Sequence, residues 1–442
     1  MSSCIPQQKD IALLEMGRTS LPAQQAADGS AKHAPATARL RSLCSILWTL
    51  LMSALSIAAF ILAAWSAWKL HNQEGLTSAV LVSSPKQTLD GYRLVVNMFR
   101  GTGYWSPQSP MLYARSDHGA VASGISVYVF GGLSNDNAQN SRVLDSLVRY
   151  DVSYNLTTEL RPMPQPRTRF GWALLDNKIY VFGGYLDANA TIVDARTFMY
   201  DIATNEWSIK ANLTKVRTDV CAGAIGGKVY VAGGYEGYAN SADIEVYSPA
   251  TDSWSLAPAR MSSARGDCVA VVAANQLYIM GGTEQISPPG VDCSATWWLC
   301  YNYSARVDVF NPATMAVTRA PDMLYARGDF GAAVMDGNRI MVAGGEHNAM
   351  GDGISRLLAM PWMEEYSLAD QYWTPKAPLP QPRFRFAMVQ AGSNGAVYTY
   401  GGAPSCPSPD QVNDASCWRN GLRDVLAFSD VSYPGAYLMV RN

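Results

Sequence analysis

The 442-residue chain reads as an all-β protein, a six-bladed β-propeller preceded by one transmembrane helix. Two observations lead to this. A hydrophobic run ending in a glycine pair recurs six times, and an uncharged stretch long enough to span a bilayer lies before the first copy. Helix-period runs are scarce after that stretch, while glycine, tyrosine and tryptophan are plentiful, the composition of short strands and tight turns.

The glycine pairs are Gly131–Gly132, Gly183–Gly184, Gly233–Gly234, Gly281–Gly282, Gly344–Gly345 and Gly401–Gly402. Each follows a strand-like run such as VYVFGG or LYIMGG. An arginine stands upstream of each pair: Arg115, Arg167, Arg217, Arg265, Arg327 and Arg383. An aromatic stands downstream: Tyr150, Tyr200, Tyr247, Phe310, Tyr366 and Phe428. Tryptophan follows three of these, as Trp207, Trp254 and Trp373, whereas Thr157 and Val317 hold that place in units one and four. Each unit is therefore a four-stranded antiparallel meander, strands A to D. It buries both faces only when packed radially with its neighbours.

The combined arginine, glycine-pair, aromatic and tryptophan pattern resembles the kelch repeat across roughly residues 104–430. The resemblance implies a six-bladed kelch-type propeller. The sixth unit lacks a D strand with tryptophan after Phe428, but YWSPQSPMLYAR at Tyr104–Arg115 aligns with YWTPKAPLPQPR at Tyr372–Arg383. The N-terminal strand around Trp105 is thus expected to close the last blade.

The organisation expected is a cytosolic tail at 1–42, a transmembrane helix at 43–68, a stalk at 69–100 and the propeller at 101–442. At helical rise the span from Leu43 to Trp68 is about 39 Å, against a hydrocarbon core of about 30 Å. Lys32, Arg39 and Arg41 precede it and Lys69 and Glu74 follow, a bias that predicts a single-pass type II protein with a lumenal or extracellular propeller. Cys293 with Cys300, and Cys406 with Cys417, share long loops and are expected to form disulfides in such a compartment, the alternative being free thiols. Cys221 and Cys268 sit in apolar strand sequence and are expected to be buried fillers. Glycosylation sequons stand at Asn155, Asn189, Asn212 and Asn302.

Strand order puts the long B–C connections and the arginines on one face of the ring, which marks it as the binding face. Two residues after each arginine stand Asp117, Arg169, Asp219, Asp267, Asp329 and Arg385. If residues two apart share a side, four blades hold a neutral Arg–Asp couple. Arg115, Asp117, His118, Arg167, Arg169, Arg383 and Arg385 would then form a cationic sector suited to a carboxylate, sulfate or phosphate. The first reading of arginines repeated in every blade is structural, as ties between neighbouring blades.

With a net charge of −2, no basic excess points to nucleic acid. No phosphate loop, serine elbow or paired metal-binding histidines are present, so no catalytic or metal residue is assigned and no cofactor is expected. Copper-radical oxidases of similar fold need histidines, and this chain has His33, His71, His118 and His347 alone. The function expected is a membrane-tethered binding module for a protein or glycan partner. The alternative is an enzyme acting on an anionic sugar in the channel, with Asp117, His118 and Glu346 as its acid or base.

Overall fold

Six sheets, each four strands and fully antiparallel, stand around one axis in the computed structural model. The structure describes residues 103–134, 141–287, 291–292, 300–350, 355–392, 395–404 and 421–430, with the backbone of short strands at Thr88–Leu89, Tyr92–Val95 and Leu438–Arg441. The expected tail and membrane segment, and the stalk apart from the two short strands, lie outside the described residues. Among the described residues, no helix is long and apolar enough to cross a membrane.

The innermost A strands are Gly119–Ser123, Gly171–Leu175, Cys221–Ile225, Val269–Ala273, Gly331–Met335 and Ala387–Gln390. They are built of small and β-branched residues because six of them converge on the axis. They enclose a cavity of about 380 Å³ lined by backbone and by apolar side chains, with Gln390 supplying a polar amide. The B strands beside them are buried nearly throughout, as in Val127–Phe130 and Val229–Ala232. Between sheets the large side chains interlock: Tyr180 meets Tyr247 of the next blade at 5.6 Å, and Tyr230 meets Phe310 at 5.3 Å.

Closure follows the sequence expectation. Strand Tyr104–Gln108 pairs with Val425–Ser429 as the outer strand of blade six, with Trp105 opposite Phe428 and their rings 5.2 Å apart. The tryptophan at this position also links blades. Trp105 Nε1 donates to the Ala377 carbonyl of the preceding blade, as Trp207 does to Arg161, Trp254 to Ala211 and Trp373 to Pro321.

Blade four has Val317 in that place, and the same blade boundary carries a disulfide, Cys221–Cys268, with Cα atoms 5.6 Å apart. The two residues are buried as expected, but they are bonded rather than simple fillers. A 47-residue separation hides this contact, which exists only once neighbouring A strands stand side by side. Cys300 is also disulfide-bonded, while Cys293, Cys406 and Cys417 lie outside the described residues.

Trp105 is 8 % exposed and Tyr104 43 %. Trp105→Ala is expected to lower unfolding free energy by about 3–5 kcal/mol and Tyr104→Ala by under about 1 kcal/mol, measured by urea denaturation. Equal effects of the two would contradict closure by this strand.

Candidate functional site

All six repeated arginines are fully buried. Arg115, Arg167, Arg217, Arg327 and Arg383 each donate from Nη1 to the carbonyl of the first glycine of their own blade. The second guanidinium nitrogen reaches a side chain at or just before strand C: Asp194, Glu245, Asp308, Glu364 and Asp424 in blades two to six, and Ser146 in blade one. Each arginine carbonyl then accepts from the second glycine of the preceding blade, as in Gly132 N to Arg167 O at 2.8 Å. The side chain thus ties strands within a blade, and its backbone ties that blade to its neighbour. A Cβ at Gly132 would fall 2.5 Å from the Ser116 carbonyl, so the position excludes any larger residue.

Two residues on, the chain turns left-handed. Asp117, Arg169, Asp219, Asp267, Asp329 and Arg385 all have φ between 50° and 57°. That conformation is uncommon outside glycine, asparagine and aspartate, and for two arginines it marks a strained position. Neighbouring blades are joined here backbone to backbone: Arg169 N to Asp117 O, Asp219 N to Arg169 O, Asp329 N to Asp267 O, Arg385 N to Asp329 O and Asp117 N to Arg385 O. These residues form a ring around the axis.

The expected couple of each arginine with the aspartate two residues later does not form. The left-handed turn breaks strand alternation, so the first residue enters the blade and the second faces the ring. The expectation of uncompensated charge is corrected as well. Arg167 and Arg383 are paired with Asp194 and Asp424 inside their blades. Arg169 contacts Asp219 at 2.7 Å and Asp267 at 3.4 Å, while Arg385 contacts Asp329 at 3.0 Å and Asp117 at 3.5 Å. The ring is a mixed-charge cluster, with aspartates outnumbering arginines.

Polar side chains that follow the glycine pairs reach the ring carboxylates. Tyr235 donates to Asp267, and Thr283 Oγ1 lies 3.2 Å from the same carboxylate. Glu346 pairs by backbone with Gly328, beside Asp329, and its Oε1 accepts from Tyr303 at 2.9 Å. Burial pushes the Asp219 carboxyl up to about 7 against the pull of Arg169, with Asp267 adding to the push. Burial and Asp267 raise Asp329 well above the carboxylate range against Arg385, and burial raises Glu346. Tyr235, Thr283 and Tyr303 were not picked out from sequence; the signal available was their place directly after, or opposite, a glycine pair.

His118 is buried, and neither imidazole nitrogen has a well-formed hydrogen bond. Burial, then the Arg115 guanidinium, hold it well below the ordinary histidine value against a smaller opposing effect of the Tyr400 backbone. The four sequon asparagines are exposed. Asn155 also has its Oδ1 accepting from Tyr150 and from the Ser109 amide.

A base depressed by folding leaves its contribution to stability intact above the unfolded value of about 6.5 and loses it as pH falls and the unfolded chain takes up the proton. Between about pH 7.5 and pH 5.5, wild type is expected to lose about 1 kcal/mol more stability than His118→Phe. Urea midpoints at several pH values measure this; parallel curves would show that His118 does not titrate as its burial requires.

The KLHDC2/KLHL20/DRC7 Kelch-repeats domain family matches residues 102–282. The Kelch-like protein terF of Aspergillus terreus is 26% identical over 298 residues, 65% of this chain and 59% of that protein. The Kelch-like protein 25 of Xenopus tropicalis is 30% identical over 153 residues, 35% of this chain and 25% of its own. The F-box/kelch-repeat protein At1g67480 of Arabidopsis thaliana is 34% identical over 133 residues, 29% and 35% respectively. The chain thus spans between 25% and 59% of the length of these relatives. The solved structure of YjhT superposes with a TM-score of 0.57 at 14% identity, covering 75% of this chain and 99% of that one, a likeness of fold alone. With the six tied blades, these matches show kelch repeats over residues 102–282 within a six-bladed β-propeller.

Proposed function

We propose that the propeller is a protein-binding module tethered to a membrane by residues 43–68, and that the face bearing the left-handed ring docks the partner. The observation that carries this reading is the ring itself, six left-handed residues linked from blade to blade by backbone bonds. The B–C excursions rise around it as small two-stranded ribbons, such as Tyr235–Glu236 with Ala239–Asn240 and Thr283–Gln285 with Tyr301–Tyr303. On them Tyr238 is 81% exposed, and Ile192 and Val193 are open to solvent. An aromatic and aliphatics beside partly exposed Arg169 have the make-up of an interface anchor set.

The disulfide-bonded Cys221, Cys268 and Cys300 support an oxidising compartment for this domain, and the exposed sequons are compatible with it. A type II arrangement with a lumenal or extracellular propeller is the topology that the charge bias favours. A protein partner is preferred to a glycan because the exposed anchors include aliphatic side chains.

The test is proximity labelling from the full-length chain in its membrane. Tyr238→Ala and Arg169→Gln are expected to reduce enrichment of the specific partner set at least about tenfold, since anchor residues carry most of an interface's binding energy. Leu256→Ala, on the outer strand of blade three, serves as the control that leaves it unchanged. Enrichment insensitive to the face variants but lost in the outer-strand variant would place binding elsewhere on the propeller.

A further inference from the structure

One carboxylate oxygen from each of Asp219, Asp267 and Asp329 lies within 4.8 Å of the other two. The three come from consecutive blades, each set by the left-handed turn that follows a buried arginine. A hard divalent ion with oxygen ligands at about 2.4 Å holds its ligand atoms no more than about 4.8 Å apart. Three carboxylates from rigid strand ends suit calcium, which accepts an all-oxygen protein site of flexible geometry, better than magnesium, which keeps most of its waters.

Proximity of acids alone would mean little. The second observation is what the arginines leave undone. Arg169 Nε takes Oδ1 of Asp219, and Oδ2 of the same carboxylate is buried without a hydrogen-bond partner. Its side chain is 5 % exposed. Glu346, 4 % exposed, is in the same condition: Tyr303 serves Oε1, and Oε2 has no partner. Its field acts on Asp329 and it feels that of Asp267, so it stands at the same cluster. A buried carboxylate oxygen without a donor costs free energy that a bound cation removes. Among the described residues, Asp117, Asp219, Asp267, Asp329 and Glu346 are met at the ring by the Arg169 and Arg385 guanidinium groups, five carboxyl groups to two cations.

We propose that Asp219, Asp267 and Asp329, with Glu346 beside them, form a calcium-binding site on the propeller axis. The ion clamps blades three, four and five at their inner ends. Arg169 and Arg385 orient the liganding carboxylates from the far side, Tyr235 and Thr283 hold Asp267, and water completes the coordination. Binding also adds positive charge to the docking face.

The full-length chain, stripped with a chelator and titrated with calcium chloride by calorimetry, is expected to bind one ion per chain and to melt at a higher temperature. Terbium in place of calcium is expected to give luminescence sensitised by Tyr235 and Tyr303. Asp219→Asn and Asp329→Asn keep a residue tolerant of the left-handed turn, and each is expected to weaken calcium at least about tenfold and to lose the calcium-dependent rise in melting temperature. Should either fail to fold, Glu346→Gln lies off the ring and carries the same expectation. No saturable binding by wild type, or binding by the folded variants equal to wild type, would overturn the site.

Discussion

Every blade depends on one buried guanidinium. It holds the first glycine carbonyl in five blades and the Arg306 carbonyl in blade four, and reaches a side chain at or just before strand C, while its own carbonyl receives the second glycine of the blade before. Removing one partner of a buried, hydrogen-bonded ion pair costs about 3–5 kcal/mol, so the motif tolerates little change. The left-handed residue two positions later is a consequence. The chain must leave the buried arginine, turn, and enter an inner strand packed against five others, and the ring of backbone bonds is the geometry that results.

The remaining links between blades are redundant, and they differ from one boundary to the next. An indole donates across four boundaries; where Val317 replaces it, Cys221–Cys268 joins the A strands instead. Where Thr157 replaces it, between the first and last blades, Tyr113 bonds Glu159 at 2.6 Å and Ser109 bonds Asn155. The ring is thus held at its outer edge by varied contacts and at its axis by repeated ones. A face that must present a partner with fixed groups is best built at the repeated end.

Much of the fold was legible in the residues: the six glycine pairs, the arginines and the alignment of Trp105 with Trp373 gave blade number and closure. The site was less so. Period-two reasoning placed Arg217 beside Asp219, and one dihedral of 51° at Asp219 undoes it. The acid partners lie at changing offsets from the strand-C aromatic, Asp194 six residues before Tyr200 but Glu245 two before Tyr247, so no spacing betrays them. Charges that neutralise Arg169 come from blades 50 and 98 residues away, a relation that only ring closure creates. The cysteine pair was hidden for the same reason.

The dependence of the whole ring on these ties is tested most directly by native-state hydrogen exchange at the second-glycine amides, Gly132, Gly184, Gly234, Gly282, Gly345 and Gly402. Each donates to the arginine carbonyl of the following blade. If the ties bind the blades into one cooperative unit, all six exchange only through global unfolding, with the same free energy and the same denaturant dependence. Amides that exchange at separate free energies, blade by blade, would show that the ring is a set of independent sheets and that the buried arginines do not govern it.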